Sequence, residues 1–253
     1  MANQARYAII SDIHSNLEAM RRVITEVEAR GGVQGWICLG DLVGYNPDPN
    51  QCVDMVRGMG MTTLLGNHDE ASAIYLKENW FNPYAEAAIR WTARQLTAQN
   101  KEYLAGLKPF TEIQLSGIPV TIAHGASHEL APFGYIRSTV DAREQAERQK
   151  TEVCFIGHTH RAGFFTVAAG ETVFTPATYG GELRIEPAKR YVINVGSVGQ
   201  PRDGNPQGAF ALYTPGEGLV EIHRFDYPVA ATQAKMREAG LPEPLIERLA
   251  AGV

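Results

Sequence analysis

Five short apolar runs in this 253-residue chain close on the same kind of polar punctuation. Tyr7–Ile10 leads into Ser11-Asp12-Ile13-His14, and Trp36–Leu39 into Gly40-Asp41. Thr62–Leu65 leads into Gly66-Asn67-His68-Asp69, the run to Ala123 into His124-Gly125, and Val153–Ile156 into Gly157-His158-Thr159-His160. Each run has the length of a buried strand. Helix-period stretches separate the first three. One carries Leu17, Met20, Ile24 and Val27 behind the capping-box pattern Ser15-Asn-Leu-Glu18, and Gly31-Gly32 ends it. The other carries Cys52, Val53 and Val56 behind Pro49-Asn50. Such alternation implies parallel pairing through right-handed crossovers, and sheets of that kind carry their sites beyond the strands' carboxyl ends. The pattern therefore predicts an α/β fold in which the five clusters meet along one edge.

The rest of the chain fills in around that edge. Residues 70–108 read as helical, with caps at Asn82-Pro83 and Thr97, and 111–115 with 118–123 as a hairpin turned at Ser116-Gly117. Ser138 starts a further helix. From Gly163 onward, runs at 163–168, 171–175, 182–185, 191–195, 208–213 and 219–226 predict a mostly antiparallel sheet. The tail reads as two helices broken near Gly240-Leu-Pro242. With no linker in view, the expectation is a single domain over 1–253, two sheets with helices outside, and the helices from about 229 as an appendage.

Composition removes several classes. A chain this long buries about 70–75% of its unfolded surface, so it needs neither metal nor disulfide merely to fold. Hydrophobic residues at 44% and charged residues at 20% argue against disorder. A net charge of −5, from 23 basic and 28 acidic residues, counts against a broad nucleic-acid footprint. No apolar run reaches membrane length, and the N-terminal stretch lacks a signal-peptide pattern. Three cysteines (Cys38, Cys52 and Cys154) without CxxC spacing read as buried thiols of a cytoplasmic protein.

Histidine carries the chemistry, with five of seven inside the clusters. Imidazole with carboxylate and amide oxygens, and no thiolate, suits first-row divalent metals. The i, i+2 spacing of Asp12 with His14, and of His158 with His160, predicts side chains pointing the same way from extended backbone. Glycines before Asp41, Asn67 and His158 relieve crowding where the chain turns. The donors exceed the need of one ion. Two ions sharing a carboxylate fit better, and they make the site locally positive despite the acidic chain.

In their order and form, the segments Asp-x-His, Gly-Asp, Gly-Asn-His-Asp, His and Gly-His-x-His resemble the signature of the calcineurin-like metallophosphoesterases. Gly40–Pro49 and Asn194–Arg202 resemble the superfamily's small bacterial and archaeal phosphodiesterases. The resemblance implies a four-layer α/β/β/α sandwich of two mixed sheets flanked by helices. It assigns Asp12, His14 and His160 to one ion, Asn67, His124 and His158 to a second, and Asp41 as the bridge. His68 would face the leaving-group oxygen as proton donor, with Asp69 orienting it. The implied activity is hydrolysis of a small phosphodiester or nucleotide, dinucleoside polyphosphates included, by metal-generated hydroxide attacking phosphorus. Manganese is the first expectation for the ions, with iron, zinc, cobalt or nickel as alternatives. A protein-binding scaffold of the same fold and a DNA nuclease are the competing readings. The intact motifs count against the first, and the acidic balance against the second.

Other residues divide less sharply. Arg202 could reach a phosphate as a forked donor, His128 could touch substrate, and Tyr45 could line the entrance. The aromatics Tyr75, Trp80, Phe81, Tyr84 and Trp91 read as core more than as a base-stacking set, and His223 as structural. The partner expected is a small phosphate ester, with no membrane, no nucleic acid, and a homo-oligomer left open.

Overall fold

Alternation along the strands sorts the apolar side chains into layers. The computed structural model describes residues 5–75, 80–128 and 131–253. In chain order these form β1 (Tyr7–Ile10), α1 (Leu17–Ala29), β2 (Gly35–Cys38), α2 (Pro49–Gly58), β3 (Thr62–Thr63), α3 (Asn67–Ala73), α4 (Pro83–Gln95) and α5 (Ala98–Ala105). Then come β4 (Phe110–Leu115), β5 (Ile118–Ala123), α6 (Thr139–Arg148), β6 (Val153–Ile156), β7 (Gly163–Ala168), β8 (Glu171–Pro176), β9 (Gly181–Arg184), β10 (Arg190–Asn194), β11 (Gly208–Thr214), β12 (Leu219–Phe225), α7 (Val229–Glu238) and α8 (Glu243–Ala251).

The strands make two mixed sheets of six, in the orders β3-β2-β1-β11-β12-β9 and β4-β5-β6-β10-β7-β8. Ala8, Ile10, Cys38, Phe210 and Leu212 turn outward from the first sheet onto Leu17, Met20 and Val23 of α1 and Cys52, Val53 and Val56 of α2. Their neighbours Ile9, Ile37, Ala209 and Ala211 turn inward and meet Val120, Ile122, Phe155 and Ile193 of the second sheet. Cys154, Ile156 and Val192, on that sheet's far face, pack on Ala142 and Ala146 of α6. The period-2 alternation thus yields helix, sheet, sheet, helix.

β1, β2 and β3 pair in parallel, as the strand–helix pattern requires. The late strands do not make a sheet of their own. β10 adds parallel to β6 and antiparallel to β7, while β11 adds antiparallel to β1. Strand runs in sequence carry no record of which open edge they complete, so the expected antiparallel sheet is divided between both. The third run pairs only at Thr62–Thr63. Helix α1 is capped by Asn16, whose Oδ1 accepts from Ala19 N at 3.1 Å, because Ser15 lies in the left-handed region at φ 57°. Glu18 turns to Lys235 of α7 instead, at 2.9 Å. Asn82, Thr97 and Ser138 cap as expected. Ser116 and Gly117, at φ 51° and 82°, give the hairpin the primed turn that matches strand twist. The stretch expected to be helical over 70–108 breaks into α4 and α5 after α3, and 76–79 lie outside the described residues. From the C-terminal helices Met236, Leu245, Ile246 and Leu249 pack with Tyr45, Ala85 and Ala88.

Candidate metal centre

The five polar clusters do converge, but across two sheets: β1, β2 and β3 supply three of them, β5 and β6 the other two. The backbone there is not extended. Asp12, His14, Asp41, His158 and His160 have φ of 54°, 50°, 53°, 64° and 58°, so each i, i+2 pair is aimed by left-handed turns. The glycines before Asn67 and His158 admit close approach. A Cβ on Gly66 would lie 2.0 Å from Asp41 Oδ1, and one on Gly157 would lie 1.9 Å from Ser11 Oγ. The turns are stitched together by main-chain bonds: Asp12 N–H to Gly40 O (3.0 Å), His14 N–H to Asp41 O (2.9 Å) and Gly199 N–H to Asp12 O (3.0 Å).

Asp12, His14, Asp41 and His160 form one group of buried donors, and Asp41, His124 and His158 a second, with the donor atoms of each within 4.8 Å of one another. Asp41 belongs to both. Asn67 Oδ1 lies 3.2 Å from His124 Nε2, which places it in the second group. Three ring nitrogens are fixed from behind. His14 Nδ1 donates to Val43 O (3.0 Å), His124 Nδ1 to Leu39 O (2.9 Å) and His160 Nδ1 to Gln200 O (2.5 Å). With Nδ1–H so engaged, the neutral form of each ring presents its Nε2 lone pair to the centre.

These lone pairs suit a cation. His14 Nε2 and His160 Nε2 face each other at 3.1 Å, and His124 Nε2 lies 3.4 Å from Asp41 Oδ2. Asp12 Oδ1 and His158 Nε2 are buried without a hydrogen-bond partner among the described residues. Two acceptors this close repel unless a proton or an ion lies between them, so the donor set fits divalent metal. The protonation pattern agrees. Burial lowers the pKa of His14, of His160, and of His158, the last to about 3, so these rings stay neutral. Burial also disfavours charge on His124, but the Asp41 carboxylate overcomes it and raises that ring to about 9. Burial opposes the negative charge of Asp12 and Asp41 as well, yet the facing imidazoles hold both carboxyls below their usual range.

A cavity of about 330 Å³ opens over the cluster, lined by Asp41, Asn67, His68, His158 and His160, with Tyr45, Trp80, Phe81 and Arg202 in its walls. The His68 ring packs 4.3 Å from Tyr45, 5.0 Å from Phe81 and 4.9 Å from His14. It lies outside both donor groups. Asp69 does not orient this ring. Its oxygens accept from Val43 N and Gly66 N, both at 3.0 Å, while His68 Nδ1 has no hydrogen-bond partner among the described residues. A carboxylate three residues into a helix satisfies the orphan N–H groups of its own turn first. Tyr45 is 4% exposed, so it lines the wall beside His68 rather than the mouth. His128 is half-buried and is not among the described residues lining the cavity. Trp80 and Phe81 line the cavity, Phe81 and Trp91 also pack on the core between α4 and α8 as expected, and Tyr75 and Tyr84 are exposed. Sequence reasoning missed Tyr135, which stacks on His158 with centroids 4.0 Å apart. It lies in an irregular segment whose pattern carries no signal. His223 is half-buried beside Phe210 on β12, a structural setting.

Comparison with known proteins gives concordant results. A family model for the calcineurin-like phosphoesterase superfamily domain matches residues 6–217. The chain is 32% identical to an uncharacterized protein of Methanocaldococcus jannaschii over 245 residues, 97% of each. It superposes on the crystal structure of a metallophosphoesterase from Sphaerobacter thermophilus with a TM-score of 0.83 and 38% identity, covering 99% of this chain and 100% of that one. A hypothetical protein from Pyrococcus horikoshii OT3 shares the fold at a TM-score of 0.76 and 18% identity, over 98% and 99% of the two chains.

Proposed function

The chain belongs to the calcineurin-like phosphoesterase superfamily, and from its buried cluster we propose that it is a binuclear metal-dependent phosphoesterase hydrolysing a small phosphodiester or nucleotide. One observation carries this reading: a single carboxylate, Asp41, is common to two groups of imidazole and carboxylate donors. Asp12, His14 and His160 would hold one ion, Asn67, His124 and His158 the other. The ions would polarise a phosphoryl group and lower the pKa of water between them. Manganese is the metal proposed first, since the oxygen and nitrogen donors include no thiolate.

The chain's own side chains supply the rest. His68 projects an imidazole into the cavity wall, where its N–H can serve the departing oxygen. Asp69 positions His68 indirectly, by fixing the N-terminal turn of α3. Arg202, in the same wall, offers its guanidinium to a substrate phosphate. Three free, buried cysteines support a reducing, cytoplasmic setting.

The test is hydrolysis of bis-p-nitrophenyl phosphate by chelator-stripped protein reloaded with Mn²⁺. No turnover with manganese, iron, zinc, cobalt or nickel would favour the scaffold reading. Asp41→Asn should lower the content of both metals together, measured by elemental analysis. Retention of two ions per chain would contradict the bridge.

A further inference from the structure

Beside the metal centre lies a second cavity, of about 480 Å³, that the proposed reaction does not use. Tyr135, Arg137, Thr159, Arg161, Phe174 and Arg202 are among the residues that line it. It shares Tyr135 and Arg202 with the cavity over the metal ligands, so the two adjoin. We propose that this cavity is an anion subsite for a further phosphate of the substrate, which makes the substrate an organic polyphosphate rather than a simple diester. The proposal takes only the identity of the scissile group from the phosphoesterase reading.

Its charge is the first argument. Three guanidiniums line it and no carboxylate does, among the described residues, in a chain with five more acidic than basic residues. Elsewhere arginines find acids: Arg30 with Glu26, Arg90 with Glu86, Arg224 with Asp203 and Arg237 with Glu243. Arg161 and Arg202 make no salt bridge among the described residues, and Asp141, the carboxylate beside Arg137, accepts from the Arg137 backbone N–H (3.0 Å) and makes no salt bridge with its guanidinium. Like charges gathered in a concave, partly apolar site repel one another, and an anion relieves that repulsion.

The second argument is that the three are held in place. Arg137 lies over the Tyr135 ring at 3.7 Å, and Tyr135 stacks in turn on the metal-ligand candidate His158. Arg161 Nε donates to the Arg202 carbonyl at 3.2 Å, leaving its two terminal nitrogens for a ligand. Arg202 Nη2 donates to Gln200 Oε1 at 2.6 Å, and its Nε is buried without a hydrogen-bond partner among the described residues. Pinned, planar donors of this kind suit phosphate oxygens. Part of the lining is apolar. Phe174 lies across Gly163, where any Cβ would come within 2.5 Å of the ring, and packs 4.5 Å from Phe165. An organic group carried by the phosphate chain has a surface there.

The test separates this subsite from the chemistry. Metal-free protein in EDTA is titrated calorimetrically with inorganic tripolyphosphate. Wild type should bind it, and Arg137→Gln/Arg161→Gln, whose two changes are at exposed positions, should bind about tenfold more weakly or worse. In Mn²⁺-loaded enzyme the double variant should lower the ratio of kcat/KM for diadenosine tetraphosphate to that for bis-p-nitrophenyl phosphate by about tenfold. Equal tripolyphosphate binding by the two proteins, or an unmoved ratio, overturns the subsite. If loaded wild type hydrolyses neither substrate, the phosphoesterase reading fails, and the titration still decides the subsite.

Discussion

Asp12, His14, Asp41, His158 and His160 each hold a left-handed backbone, which costs a non-glycine residue about 1–2 kcal/mol. Five such residues in one place mean that the surrounding network over-determines them. Residue identity announced the donors, but their spacing suggested extended chain, because nothing in Asp-x-His or His-x-His encodes the sign of φ. His68 is different, since its ordinary helical position leaves its ring free to serve the cavity. Burial lowers its pKa to about 4, against the pull of Asp41, so in the metal-free protein it is neutral at pH 7. A neutral imidazole still carries one N–H donor. His68→Ala should therefore keep both metals and lower kcat by about 10²–10⁴-fold. Steady-state rates beside elemental analysis check this, and turnover within threefold of wild type would remove the assigned role.

At the scale of elements, the loop after β6 must pass between the first turn after β1 and the ligands. Gly157 N–H donates to His124 O at 3.0 Å, and His158 N–H donates to Asp12 Oδ2, also at 3.0 Å. A methyl on Gly157 would meet Ser11 Oγ at 1.9 Å and Asp12 Oδ2 at 2.6 Å. Gly157→Ala should wedge these two loops apart. It is expected to destabilise by about 1–3 kcal/mol, the usual cost of overpacking, and to weaken metal binding. Gly58 closes α2 with nothing within 4 Å of the same methyl, so Gly58→Ala should be neutral or stabilising by up to about 1 kcal/mol. Denaturant titration compares the pair, and equal effects would refute the packing argument. Elements with local causes were legible: the caps at Asn82, Thr97 and Ser138, the Ser116-Gly117 turn, and every cluster at a strand end. Partner choice among strands was not, since β10 and β11 are both buried apolar runs of the second half yet join different sheets. Nor was the cap at Asn16, which Ser15 yields because its own backbone is committed to the metal loop.

For the whole molecule, the C-terminal helices matter to the site. Lys235 ties α7 to Glu18 and Asp48, and α8 packs its apolar face on α4 and Tyr45, a wall residue of the cavity. A chain ending at residue 228 would expose that face, so we expect loss of cooperative unfolding. A sharp calorimetric transition in the truncated chain would show the helices to be a dispensable appendage. Proton linkage gives the molecule's pH response. His14, His68, His158 and His160 all have folded pKa values below 6.5, with burial the leading cause. Below pH 6.5 the unfolded chain binds more protons at these sites than the folded one, so the stability they confer is complete above 6.5. It is lost as the pH falls toward about 4 for His68 and about 3 for His158. His124 acts oppositely: its contribution is present below 6.5 and lost as the pH rises through about 9. Chelator-stripped protein should therefore be most stable between these windows. His68 and His158 each cost about 2–3 kcal/mol by pH 4.5, Asp69, whose carboxyl burial raises to about 7, offsets part of this, and with about 2–4 °C per kcal/mol for a chain of this size the Tm should drop by about 5 °C or more from its value at pH 7. Metal competes with protons for the same lone pairs, so loaded protein should melt well above stripped protein at pH 7, and the gap should close toward pH 4.5. Scanning calorimetry at the two pH values, with and without Mn²⁺, decides it. A Tm of the stripped protein that does not move with pH would mean that the histidines are not held neutral in the fold.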